Sequence, residues 1–157
     1  MKKFGLLFIS LIFVNLLIGC NQEKVPGNKA KVKKLKNTFS ISGAWIRPAA
    51  KNMNSACYFE VVNNTSKPDT LLGAESDLAK TVQIHETFNS GKDMMGMKHV
   101  KVVPVKANST VQFKPSGYHV MLIGLNEDLK PGDTERVTLK FKNRGKVVII
   151  AKVKNNR

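Results

Sequence analysis

The sequence predicts an all-β domain, an antiparallel sandwich or barrel, and three observations carry that expectation. Short runs rich in β-branched and aromatic residues recur from Thr38 onward. Clusters of Gly, Pro, Asn and Ser separate them. Alternation is clearest near the end, where Val137, Leu139 and Phe141 point one way and Arg136, Thr138, Lys140 and Lys142 the other. Many short strands in a single stretch of about 120 residues is the pattern of a sandwich or barrel.

The expected strands are Thr38–Trp45, Ala56–Val62, Thr70–Ala74, Thr81–Thr87, Met94–Val103, Ser109–Lys114, Tyr118–Gly124, Thr134–Lys142 and Lys146–Lys154. Pro131-Gly132 supplies the fixed φ and then the positive φ of a type II turn. Asn143-Arg144-Gly145 suits a tight hairpin. Ser76 to Lys80 has room for one helical turn. The chain carries no internal repeat.

The first 37 residues read differently. Met1-Lys2-Lys3 is basic and Phe4 to Ile18 almost wholly apolar, as in a secretory signal peptide; the run is too short for a dependable membrane span. It ends in Leu17-Ile18-Gly19-Cys20, which resembles the bacterial lipoprotein box, where a small residue precedes a cysteine that is lipidated after cleavage. Three segments are therefore expected: a lipoprotein signal peptide over 1–19, a lipidated lysine-rich tether over 20–37, and a β-sandwich domain over 38–157. The tether has Lys24, Lys29, Lys31, Lys33, Lys34 and Lys36 against the single acid Glu23, and little to bury. Cys57, in the strand-like Ala56-Cys57-Tyr58-Phe59, reads as a small buried hydrophobe.

Location bears on charge. The chain holds 26 basic and 11 acidic residues, a formal net charge of +15, which by itself suggests a nucleic-acid partner. Export removes that partner from reach, and from Thr38 onward the excess is only +8. The remainder fits a protein beside an anionic membrane, or one docking an acidic partner.

Enzyme signatures are few. No Gly-rich phosphate loop, HExxH, CxxC or GxSxG is present. The placement of histidine and methionine stands out instead. The three histidines are His85, His99 and His119, and two have a methionine two residues away: Met97 before His99 and Met121 after His119. Residues i and i+2 share a strand face. His119 and Met121 thus oppose the apolar Tyr118, Val120 and Leu122, His85 opposes Val82 and Ile84, and Met95, Met97 and His99 line one face of their run. Imidazole with thioether sulfur is a soft donor set that selects Cu(I) over hard ions. A lone His-x-Met is weak evidence, since methionine also fills cores.

At this point the chain resembles the PCu(A)C-type periplasmic copper chaperones. Their motif is a histidine, about ten residues, a methionine, twenty-one residues, then His-x-Met. Here eleven residues separate His85 from Met97, and twenty-one, Lys98 to Tyr118, precede His119-Val120-Met121. The extra residue falls in the Asn89–Asp93 loop, which leaves Met95 as an alternative, though the intact second spacing favours Met97. Ala44-Trp45-Ile46-Arg47-Pro48, Leu72-Gly73-Ala74, His85-Glu86-Thr87, Gly117-Tyr118-His119-Val120-Met121-Leu122 and Leu129-Lys130-Pro131-Gly132-Asp133 are also similar to the family's stretches. The likeness runs from about Ser40 to Val153.

The resemblance implies an antiparallel Greek-key β-sandwich or barrel of cupredoxin type. It implies one Cu(I) per chain, held by His85, Met97, His119 and Met121; Met95 and His99 are auxiliary candidates from the residues themselves. It implies no enzyme activity, and copper delivery toward cytochrome c oxidase with a Sco-type protein or the oxidase copper site as partner. Some relatives carry a His- and Met-rich tail linked to Cu(II); Val153-Lys154-Asn155-Asn156-Arg157 has neither residue. Many relatives are soluble, whereas Cys20 points to a lipid anchor in the cell envelope. The further expectations are a monomer with no nucleic-acid partner, Arg47 on the surface, His99 on the surface rather than a runner-up ligand, a support to a ligand or an entry-path residue, Trp45 in the core, and Met94 and Met95 in packing rather than offering a handover sulfur. The alternative reading is a membrane-anchored β-sandwich interaction module without metal.

Overall fold

The computed structural model describes residues 37–91 and 94–155. The expected signal peptide, Cys20 and nearly all of the tether lie outside the described residues. The described chain is all-β, with ten strands: β1 (Phe39–Ile46), β2 (Ser55–Asn63), β3 (Asp69–Glu75), β4 (Ala79–Asn89), β5 (Met95–His99), β6 (Val103–Val105), β7 (Ser109–Phe113), β8 (Tyr118–Leu125), β9 (Thr134–Phe141) and β10 (Gly145–Val153). They hydrogen-bond in the order β5-β4-β8-β7-β2-β1-β10-β9-β3-β6, with β8 also pairing β2. The ladder folds over on itself, bringing β3 against β4 and β6 against β7. This is a cupredoxin-like β fold, as expected.

Three sequence expectations change. The run Met94–Val103 is two strands rather than one. β5 stays with β4 as far as His99, Val100 donates to the Ile84 carbonyl, and the chain then crosses to pair β6 with β3, Asp69 opposite Val105. The sheet is mixed rather than wholly antiparallel, because β1 and β10 run parallel where Trp45 faces Lys152, and β7 and β8 share one parallel pair. Ser76 to Lys80 holds no helical turn; a turn at Asp77-Leu78 leads straight into β4.

β1 serves two partners. It follows β2 from Phe39 to Ser42, bulges, and from Trp45 also meets β10. Gly43 sits in the bulge at φ +64°, with open space where a side chain would go. The backbone conformation, not crowding, is what calls for glycine there. Between the folded halves lies one core, built from fully buried Ile46, Cys57, Val61, Leu71, Val120, Leu122, Leu139 and Val153. Cys57 is buried as expected, and burial pushes its thiol up to about 12. Asn63 ties two connections to this core, donating to the carbonyls of Lys67 (2.9 Å) and Lys106 (3.1 Å) and accepting from the Thr65 hydroxyl (2.7 Å).

Candidate metal centre

The site is built by β5, β4 and β8 side by side. Alternation sends Val120 and Leu122 of β8 and Ile84 of β4 into the core, so their neighbours face outward. Register decides which of those outward residues meet. His85 pairs with His119 across β4–β8 and with His99 across β4–β5. All three histidines therefore stand in one row, with ring centres 5.9 Å apart for His85–His119 and 6.0 Å for His85–His99. The row continues through Tyr58, whose ring lies 6.2 Å from His119, to Trp45, 4.5 Å from Tyr58.

The methionines fill the flanking rows. Met121 pairs with Gln83 on one side and with Ala56 on the other, one row from His85. Met97 pairs with Thr87, one row from His85 in the opposite direction, and Met95 pairs with Asn89, a row further away. Diagonal neighbours across a sheet are about 7–8 Å apart, within reach of a long side chain. Met97 meets that condition toward His85 and Met95 does not.

On the opposite face of β5, the Phe88 ring lies across Gly96, where an added Cβ would come within 2.8 Å of it. Lys98 pairs with Glu86 at 3.1 Å on that same face. Glu86 is thus occupied away from His85. These contacts seat the edge strand that carries Met97 and His99.

Hydrogen bonds set the imidazole tautomers. Nδ1–H of His119 donates to the Gly117 carbonyl at 3.1 Å, which leaves the Nε2 lone pair free. Nε2–H of His85 donates to Gln83 Oε1 at 2.9 Å, and its Nδ1 is buried with no hydrogen-bond partner. An unpartnered buried acceptor is costly. Burial holds both groups below the ordinary imidazole value of 6.5. The neighbouring His119 and His99 add to the effect at His85, and Arg47 adds to it at His119, against the Gly117 bond. Both rings are thereby kept in the neutral form that ligates.

Among the described residues no three His, Cys, Asp or Glu side chains converge on a point where an ion could sit. A four-coordinate ion at His85 and His119 would need the methionine sulfurs. The groove of about 490 Å³ lined by Phe39, Ile41, Val148 and Ile150 includes none of these residues. The centre is a patch on a sheet face.

Residues 39–153 match the family described as "Putative lipoprotein LpqE-like". The chain belongs to this LpqE-like family. It is 31% identical over 141 residues to "Putative lipoprotein Lxx21020" of Leifsonia xyli subsp. xyli, covering 88% of this chain and 82% of that protein. Among solved structures, it is similar to the copper-bound PCuAC domain from PmoF2, with a TM-score of 0.61 at 26% identity, over 75% of this chain and 93% of that one. It is also similar to CuI-DR1885 from Deinococcus radiodurans, with a TM-score of 0.57 at 31% identity, over 74% of this chain and 79% of that one. The resemblance read from the His-x-Met spacing is thus the relationship found.

The structure brings His85, His119 and Met121 together, places Met97 within reach, and keeps Met95 further off. His99 is exposed as expected, yet it directly faces His85. Met94 and Met95 do not pack as expected: both are more than half exposed, as is Met97. They lie at the sheet's edge, with no second layer above them among the described residues. Trp45 is half-buried on the outer face, with the Lys154 ammonium 5.6 Å from its ring centre, so it is not a core residue. Gln83 and the Gly117 carbonyl, which hydrogen-bond His85 and His119, are partners that the sequence did not single out. The same i, i+2 rule that joined His119 to Met121 joins Gln83 to His85 and could have found the first.

Proposed function

We propose that this chain is an extracytoplasmic Cu(I) metallochaperone, lipid-anchored through Cys20, that carries one copper ion as cargo and is not an enzyme. The unpartnered Nδ1 of His85 beside the free Nε2 of His119, with Met121 and Met97 in the flanking rows, is the observation that supports it. Four neutral donors leave the ion's charge uncompensated, which favours a site near water over one deep in the core. A sheet face satisfies that condition. Two thioethers select the reduced, soft ion. They also bind less tenaciously than thiolates, so copper can pass to a thiol-rich acceptor one ligand at a time. The similarity to a copper-bound PCuAC domain and to CuI-DR1885 supports the same cargo.

Delivery toward cytochrome c oxidase, directly or through a Sco-type protein, by a monomer facing the periplasm or extracytoplasmic space, follows from the family resemblance and belongs to this reading. A Cu(I) titration against a competing chelator, with ligation read by X-ray absorption, tests the site. Two nitrogen and two sulfur neighbours at one equivalent are expected. If the His119→Ala/Met121→Ala double variant binds Cu(I) as tightly as the parent, the site reading fails; if the parent itself binds no Cu(I), an interaction module without metal replaces it.

A further inference from the structure

The sheet face holds one more imidazole than a two-histidine site uses. His99 stands opposite His85 on β5, the last strand at that end of the hydrogen-bonded order. The His85–His99 spacing of 6.0 Å is nearly the same as the His85–His119 spacing of 5.9 Å. A ring nitrogen sits about 2 Å from its metal, which places two imidazoles sharing one ion with centres roughly 5–6 Å apart. Both pairs fit that span, and His85 is common to both.

Exposure divides the two pairs. His119 is 4% exposed, beside Tyr58 and hydrogen-bonded to the Gly117 carbonyl, whereas His99 is open to solvent and Met97 is 62% exposed. The Met97 thioether at the sheet edge is accessible to an incoming ion. Met97 neighbours His99 on the same face of β5 and lies one row from His85, so it can serve either pair.

Resting on the chaperone reading above, we propose that His85, His99 and Met97 form a second copper position at the sheet edge, through which Cu(I) enters and leaves the inner pair His85–His119. The ion stays reduced throughout and no proton need move. His85 and Met97 remain bound while the His119 and Met121 donor atoms are exchanged for the His99 imidazole. That leaves a three-coordinate ion at the exposed edge, open to an incoming thiolate from a dithiol acceptor. No three imidazoles converge among the described residues, so His99 replaces His119 rather than joining it.

The test follows the histidine ring NMR signals of the full chain during anaerobic Cu(I) addition, with the rate of copper transfer to a small dithiol measured in parallel. All three ring signals are expected to shift. The His99→Ala variant should lose about tenfold in transfer rate, the lower end of what removing an auxiliary group at a metal site costs, while losing far less Cu(I) affinity than His119→Ala. If the His85 and His119 signals shift while His99 stays fixed, or if His99→Ala transfers copper as fast as the parent, the edge position does not exist and the inner site stands. Should His99→Ala lose as much affinity as His119→Ala, His99 is a permanent ligand and the transfer role is overturned. A titration in which no ring signal moves overturns the chaperone reading itself.

Discussion

Gln83 offers the sharpest test of how the site is organised. Its Oε1 accepts the Nε2–H of His85 at 2.9 Å, which aims the Nδ1 lone pair. Replacing it by Leu keeps the bulk beside Met121 and removes the acceptor. The freed N–H would then turn the ring toward water, and copper binding must work against that. Leaving a partly buried donor unsatisfied costs about 1–3 kcal/mol. Loss of an orienting partner at a metal-ligating histidine ordinarily weakens affinity about 10–100-fold, or about 1.4–2.7 kcal/mol. Competition with a Cu(I) chelator at pH 7 measures the affinity, and thermal unfolding checks that the sheet is intact. Gln83→Glu is the informative companion. It keeps an acceptor, so affinity at pH 7 should be retained. Its carboxylate favours the imidazolium, so copper release on acidification should begin at higher pH. A Gln83→Leu protein that is folded and binds Cu(I) as tightly as the parent would refute the reasoning.

Other outcomes follow from the same geometry. Copper affinity should fall as pH drops below about 6.5, through the lowered values of His85 and His119, because protons then compete for the ligating nitrogens; the chelator competition repeated across pH reads this. The apo protein should weaken in the same direction. These two groups hold protons less tightly folded than unfolded, so acid favours the unfolded chain from about 6.5 downward, and their contribution is fully present above it; denaturant midpoints against pH measure the slope. Leu122→Ala, at a fully buried core position between Met121 and Ile123, should cost about 2–5 kcal/mol in urea unfolding. The Cys57 thiol should resist a maleimide in the folded protein and react once denaturant is added, given its burial and its rise to about 12.

Much of the centre was legible from local pattern. A strand's period of two sends His119 and Met121 outward whenever Val120 and Leu122 go inward, and the same holds for His85 against Ile84. The lipoprotein box and the His-x-Met spacing likewise need only neighbours along the chain. The split of Met94–Val103 was not legible, because Val100 to Val102 carry apolar residues that continue the alternation. Only the pull of β6 toward β3, some thirty positions earlier in the chain, ends β5 at His99. The misassigned roles of Met94, Met95 and Trp45 share one cause: a methionine or tryptophan in a strand looks the same in sequence whether or not a second layer covers it.

The sequence by itself determined the all-β class, the candidate donor types and the strand face each of them takes. Those follow from side-chain chemistry and a backbone repeat that acts within a few residues. Tertiary structure alone decided that His85 stands between two imidazoles, that Met97 rather than Met95 comes within reach, and that Gln83 and the Gly117 carbonyl orient the rings. Each of these depends on which strands pair and in what register. Pairing and register are set by burying one shared core between segments distant in sequence, and a shift of one residue would turn every donor to the other face.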